Sequence, residues 1–129
     1  NPDKPSELIN SAMARAKFCE LASNNISAPV DTSIAFLTGL LSLIDAILDE
    51  KLETVLEKLP LAQEIKEPLI TKKGALAELI QLLEFIEHAQ WDKTTILMKK
   101  LGIGKEKVIK DYNEALAWAD EQSQMTNEK

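Results

Sequence analysis

The sequence is short of the residues that build disulfides and metal centres. Its 129 residues include one cysteine, Cys19, and one histidine, His88. A single cysteine excludes an intrachain disulfide and fits a reducing cytoplasm. The opening residues, NPDKPSEL, lack the basic start and apolar run of a signal peptide. No apolar run reaches the roughly 20 residues that cross a bilayer. The longest, 34–48, contains Ser42 and Asp45 and reads as a buried core helix, so no membrane partner is expected. A basic excess is lacking too: 15 Lys and Arg face 21 Asp and Glu, a net charge of −6. An acidic surface repels phosphate backbones, so no nucleic-acid partner is expected. Lys99, Lys100, Lys105, Lys107 and Lys110 cluster, but Glu106, Asp111 and Glu114 are interleaved, as on a solvated helix surface. Strict apolar–polar alternation is absent, which argues against strands.

What remains is helical periodicity. Hydrophobic residues make up 45% of the chain and charged residues 28%, proportions that suit one globular domain over 1–129. A chain of this length buries roughly two thirds of its unfolded surface, so a core needs neither disulfide nor metal. The spacing predicts a first helix over 6–22, started by Pro5 and Ser6, with Leu8, Ala12, Met13, Ala16, Cys19 and Leu21 on its apolar side. Asn24, Asn25, Ser27 and Pro29 form a turn. Asp31, Thr32 and Ser33 cap a second helix over 33–48, apolar nearly all round and expected to be surrounded by others. Gly39 inside it costs roughly 1 kcal/mol relative to alanine, which close approach of another helix backbone would explain. Further helices are predicted over 50–59, 62–70, 75–89, 91–101 and 105–122. Pro60 stops the third and Pro68 should shorten or distort the fourth. Residues 1–5 and 123–129 are expected to fray. The reading is all-α: a compact bundle of about seven helices.

Few single residues stand out chemically. Cys19 has Arg15 and Lys17 nearby but sits in an apolar helical pattern, which marks a buried packing residue. His88 belongs near a helix end. Asp45, in an apolar stretch, needs a hydrogen-bond partner or solvent. Trp91 and Trp118 are expected to pack against neighbouring helices rather than to anchor an interface.

Residues 35–45, AFLTGLLSLID, resemble the helix that carries the His-Asp dyad in HD-superfamily proteins, A-F-L-x-G-L-L-H-D-I-G. Ser42 stands at the histidine's position and Leu43 at the aspartate's. Residues 52–70, LETVLEKLPLAQEIKEPLI, resemble the segment L-x-E-x-W-x-L-P-x-x-V-x-x-A-I, which paired histidines commonly follow; Thr71, Lys72 and Lys73 follow here. Lys51 stands near where a proline is common. Residues 79–85, LIQLLEF, resemble L-V-H-x-A-D-x-L, with Gln81 in place of the histidine and Glu84 in place of the aspartate. These segments, with RAKFCELA (15–22), GALAELIQLLEFIEHAQW (74–91) and YNEALAWADE (112–121), keep the order and spacing of the HDOD family. That family comprises HD-related output domains of bacterial signalling proteins. The chain is most similar to the branch in which an EAL domain precedes the HDOD domain.

The resemblance implies an HD-superfamily-like fold, a cytoplasmic location and a role in signal transduction. It also implies further helices upstream of Arg15, so the chain is expected to be the C-terminal part of an HDOD domain in a larger protein. A sequence that opens at Asn1 rather than methionine fits a piece of a longer one. EAL domains are associated with cyclic-di-GMP hydrolysis, but their acidic metal-binding motifs are not in this chain. HD hydrolases use metal ions to lower the pKa of water and polarise phosphate, and one histidine cannot supply the usual ligand set. The chain is therefore expected to be no enzyme and to hold no metal or cofactor. It would act by contact with a protein partner or an upstream domain of its own polypeptide. An alternative is a small-molecule or nucleotide sensor that uses the former active-site cavity, with Ser42, Gln81 and Glu84 as contacts. A divergent HD phosphohydrolase is the third reading, disfavoured by the missing ligands.

Overall fold

The computed structural model describes residues 3–28 and 30–127, and these residues form helices and no strand. The order is α1 (Asp3–Ala22), α2 (Thr32–Leu41), α3 (Ile44–Leu48), α4 (Leu52–Lys58), α5 (Gln63–Thr71), α6 (Ala75–Glu87), α7 (Trp91–Leu101) and α8 (Lys105–Asn127). The all-α expectation holds. Residues 1–2, Pro29 of the predicted turn and 128–129 lie outside the described residues.

The centre of the bundle is α1, which packs against α2 and α8. Its inner faces carry the small residues Ala12, Ala14, Ala16 and Ala22, all buried, together with Phe18 and Cys19. Small side chains let the two neighbouring backbones come close. At Gly39 of α2 an added Cβ would lie 2.7 Å from the carbonyl oxygen of Arg15, the close approach that the glycine foretold. Phe18, absent from the predicted apolar side, is fully buried, whereas Leu8, Met13 and Leu21 are only half-buried.

The helix expected over 33–48 is two segments. Asp31 caps α2 as predicted, its Oδ1 accepting from the amides of Ser33 (2.9 Å) and Ile34 (3.0 Å). The break falls at Ser42-Leu43. The Ser42 amide turns back to the Gly39 carbonyl (3.3 Å), and its hydroxyl donates to the same oxygen (2.7 Å). This local bonding competes with helix propagation, and Leu43 takes a non-helical ψ of 10°. The expected burial fails as well. No residue of α3 is fully buried, and Leu37 and Leu48 are 38% and 50% exposed. The most apolar stretch of the sequence is thus half-covered rather than surrounded.

Helices α4 to α7 follow the periodicity closely. Pro68 does not shorten α5, which runs on to Thr71 and ends at Lys72 with φ +61°. A proline φ suits a helix and removes only one ladder donor. Helix α6 buries Leu76, Leu79, Ile80 and Leu83, as its spacing requires, and Leu82 besides. Gly102 ends α7 in the left-handed region with φ +73°, which glycine adopts without strain. Beside it, the Ser27 amide donates to the Leu101 carbonyl (2.8 Å) and ties the loop after α1 to the end of α7.

Both outer helices are longer than predicted. α1 starts at Asp3, and α8 runs to Asn127, past the predicted bounds at 6 and 122. The two support each other there: the Ser123 hydroxyl donates to Asn10 Oδ1 (2.8 Å). Nearer the middle of α8, Asn25 Nδ2 donates to Asp111 Oδ2 (2.8 Å). Trp118 packs edge-on against Phe36 with centroids 5.9 Å apart and Lys17 over its ring, as expected. Trp91 does not pack as expected; it is 60% exposed at the start of α7. Leu116 of α8 is also exposed. Among the described residues no single helix is long and apolar enough to cross a membrane.

Candidate functional site

The three positions singled out as possible contacts come together. Ser42 from the end of α2 and Gln81 and Glu84 from α6 line one cleft of about 290 Å³. Asp45 of α3 and Lys72 at the end of α5 also face it, and Leu52, Pro68, Leu69 and Ile80 form apolar walls. The break between α2 and α3 helps to open this space, because it ends the helix at the cleft's edge.

The group that organises the cleft is Arg15, the single arginine of the chain. It projects from the centre of α1 and is only 7% exposed. Its Nη1 donates to Ser42 Oγ and to Glu84 Oε2, each at 3.3 Å, and its Nη2 donates to Glu87 Oε1 at 3.3 Å. One guanidinium therefore joins α1, α2 and α6. Its Nε–H is buried and has no hydrogen-bond partner among the described residues. The carboxylates sit further out: the side chains of Glu84 and Glu87 are 44% and 31% exposed. A fixed cation is buried at the base of the cleft and its counter-charges lie at the edge.

Sequence reasoning missed this role for Arg15. The available signal was an arginine at helical spacing with Ala12 and Cys19 on an apolar face, where a charge needs partners. Gln81 is held by its own local bond, Nε2 donating to the Lys72 carbonyl (3.2 Å). Asp45 satisfies its expected need for a partner by accepting from the Ala46 amide (2.9 Å) in the first turn of α3.

The remaining titratable residues offer little chemistry. Burial pushes the Cys19 thiol up to about 12, with the Arg15 charge acting against it, so at neutral pH it is a packed thiol rather than a nucleophile. His88 caps the end of α6, its Nδ1 2.8 Å from the Glu84 carbonyl oxygen. Asp111 is buried, and burial raises its pKa against the opposing hydrogen bond from Asn25. Among the described residues no group of three or more His, Cys, Asp or Glu side chains is arranged to hold a metal ion.

The chain is 36% identical over 118 residues to the cyclic di-GMP phosphodiesterase CdgJ of Vibrio cholerae, a match over 92% of this chain and 27% of that protein. It is 34% identical over 112 residues to the uncharacterised protein YuxH of Bacillus subtilis, a match over 87% of this chain and 27% of that protein. The chain thus spans about a quarter of the length of the curated relatives it matches. No protein-family model matches it, and no solved structure does.

Proposed function

We propose that this chain is a non-catalytic regulatory domain of the HDOD type, acting by protein contact in cyclic-di-GMP-related signalling. The observation that carries this reading is the buried Arg15 guanidinium bonded to Ser42 and Glu84. These are two of the positions where the HD resemblance expects metal ligands. A fixed positive charge among them repels a divalent cation and neutralises the one carboxylate retained there. The likeness to a cyclic di-GMP phosphodiesterase supports the signalling context. In this reading the chain works in the cytoplasm, and its partner is another protein or a further domain of the same polypeptide. The test is metal analysis of the purified chain after incubation with iron, manganese and zinc, beside a phosphodiesterase assay with cyclic di-GMP. The expected result is no stoichiometric metal and no turnover. Stoichiometric metal with hydrolysis overturns the reading.

A second reading is favoured by the cleft itself. With Lys72 and Asp45 as charged groups and apolar walls between them, it suits a small polar molecule with some apolar surface. A thermal-shift screen with nucleotides tests this. A ligand at about 100 times its Kd adds roughly 2.7 kcal/mol of stability, a rise of several degrees in Tm. A flat response across the screen leaves the contact reading alone.

A further inference from the structure

A second hollow lies between α7 and α8, away from Arg15. It holds about 500 Å³ and is lined by Ile86, Met98, Val108 and Tyr112, with Trp91 and Ile109 beside them. Trp91 is 60% exposed and Ile109 is 49% exposed, so two large apolar side chains stand in water at its edges. Exposed apolar surface that lines a groove marks a site for another molecule more often than scattered single residues do. The two threonines that line it are already satisfied. Thr94 Oγ1 donates to the Gln90 carbonyl (2.9 Å) and Thr95 Oγ1 to the Trp91 carbonyl (3.0 Å). Among the described lining residues, the Lys105 ammonium and the Tyr112 hydroxyl are the remaining polar side-chain groups, and no carboxylate is present. In a chain of net charge −6, this groove carries a single positive charge and is otherwise mainly apolar.

We propose that the α7–α8 groove docks an amphipathic helix of a partner protein, with aliphatic or aromatic side chains in the groove and a carboxylate on Lys105. The proposal rests on the contact reading above and names its surface. The dimensions fit. Helix α7 has 11 residues, about 16 Å at 1.5 Å per residue. A partner helix of about three turns, with apolar residues at i, i+3 or i+4, and i+7, matches that length. An acidic flank is favoured by Lys105 in the groove, whereas a basic flank would face it with like charge.

The probe is a synthetic amphipathic helix of about four turns, leucine and phenylalanine on one face and glutamate on the other. Its controls are a counterpart with lysine for glutamate and a scrambled peptide. Binding to the full chain is followed by amide chemical-shift mapping and by tryptophan-selective fluorescence of a Trp118→Phe variant, in which Trp91 is the single tryptophan. The acidic peptide should shift residues of α7 and α8 around the groove, blue-shift Trp91, and bind at least ten times more tightly than either control. Ile109→Asp should weaken it by roughly tenfold or more. Lys105→Glu should weaken it by on the order of fivefold, the size of an exposed ion pair. Equal binding by the scrambled or lysine peptide, no shifts at the groove, or self-association through this face in sedimentation would each overturn the proposal. A partner mapped instead to the exposed leucines of α2 and α3 would remove the groove and leave the contact reading standing. Metal-dependent hydrolysis would remove the contact reading and leave the peptide result as it is.

Discussion

The two hollows of this bundle differ less in size than in what crosses them. Around Arg15, hydrogen bonds from one buried guanidinium reach Ser42 at the end of α2 and two glutamates of α6. Between α7 and α8 the threonines that line the gap bond back within their own helix instead of across it. The first hollow is a junction whose residues hold helices together, so substitutions there should register as lost stability. The second is bordered by exposed side chains whose removal should leave the fold intact.

The sharpest way to break this contrast is Arg15→Ala. It deletes a buried side chain and three hydrogen bonds, and should cost about 2–4 kcal/mol in urea unfolding. The half-exposed glutamates return to water, which keeps the cost below that of stranding a fully buried charge. A loss under about 1 kcal/mol would mean that Arg15 is not the junction. Gly39→Ala is next, because its Cβ would meet the backbone of α1 at 2.7 Å, and backbone cannot swing away. About 1–3 kcal/mol of destabilisation is expected, although alanine is the better helix former.

A smaller effect is expected at Asp111. Its folded pKa is raised, chiefly by burial. The folded state therefore holds this proton more tightly than the unfolded state does. The linked contribution is most favourable below the unfolded carboxylate pKa and is lost as pH rises through the folded one. Asp111→Asn keeps an oxygen to accept from Asn25 and removes that titration. The stability difference between variant and parent should move in the variant's favour as pH rises from acid to neutral, in paired denaturation curves. A pH-independent difference would refute the assignment. At the bottom of the scale, Trp91→Ala and Ile109→Asp should each change unfolding free energy by no more than about 0.5 kcal/mol. A larger loss would mean that the groove is part of the core.

Legibility in the sequence follows the same division. α6 and α7 were readable because their apolar residues recur at helical spacing and because Gly102 marks the stop after α7. The close approach at Gly39 was readable from a glycine in an apolar helix. The break at Ser42-Leu43 was not, because apolar periodicity carries no record of a serine hydroxyl bonding back to the Gly39 carbonyl. Trp91 was misplaced because periodicity describes a face without saying whether another helix covers it. The meeting of Ser42, Gln81 and Glu84 was visible only through resemblance to HD proteins, which brings distant positions together. Arg15 escaped because its partners lie on other helices, and no local pattern announces them.

The bonds between Asn10 and Ser123, Asn25 and Asp111, and Ser27 and Leu101 share one property: each joins the first quarter of the chain to the last third. Helix α1 is sheathed by α8, which is made well after it. On the ribosome, the alanine faces of α1 have α2 within reach early but must wait until the intervening helices α3 to α7 are made before α8 can close over them. Contacts of such sequence separation slow folding, and the waiting surface is open to non-native partners. The order of synthesis makes α8 the clasp, and a chain released before residue 105 would leave α1 uncovered on that side.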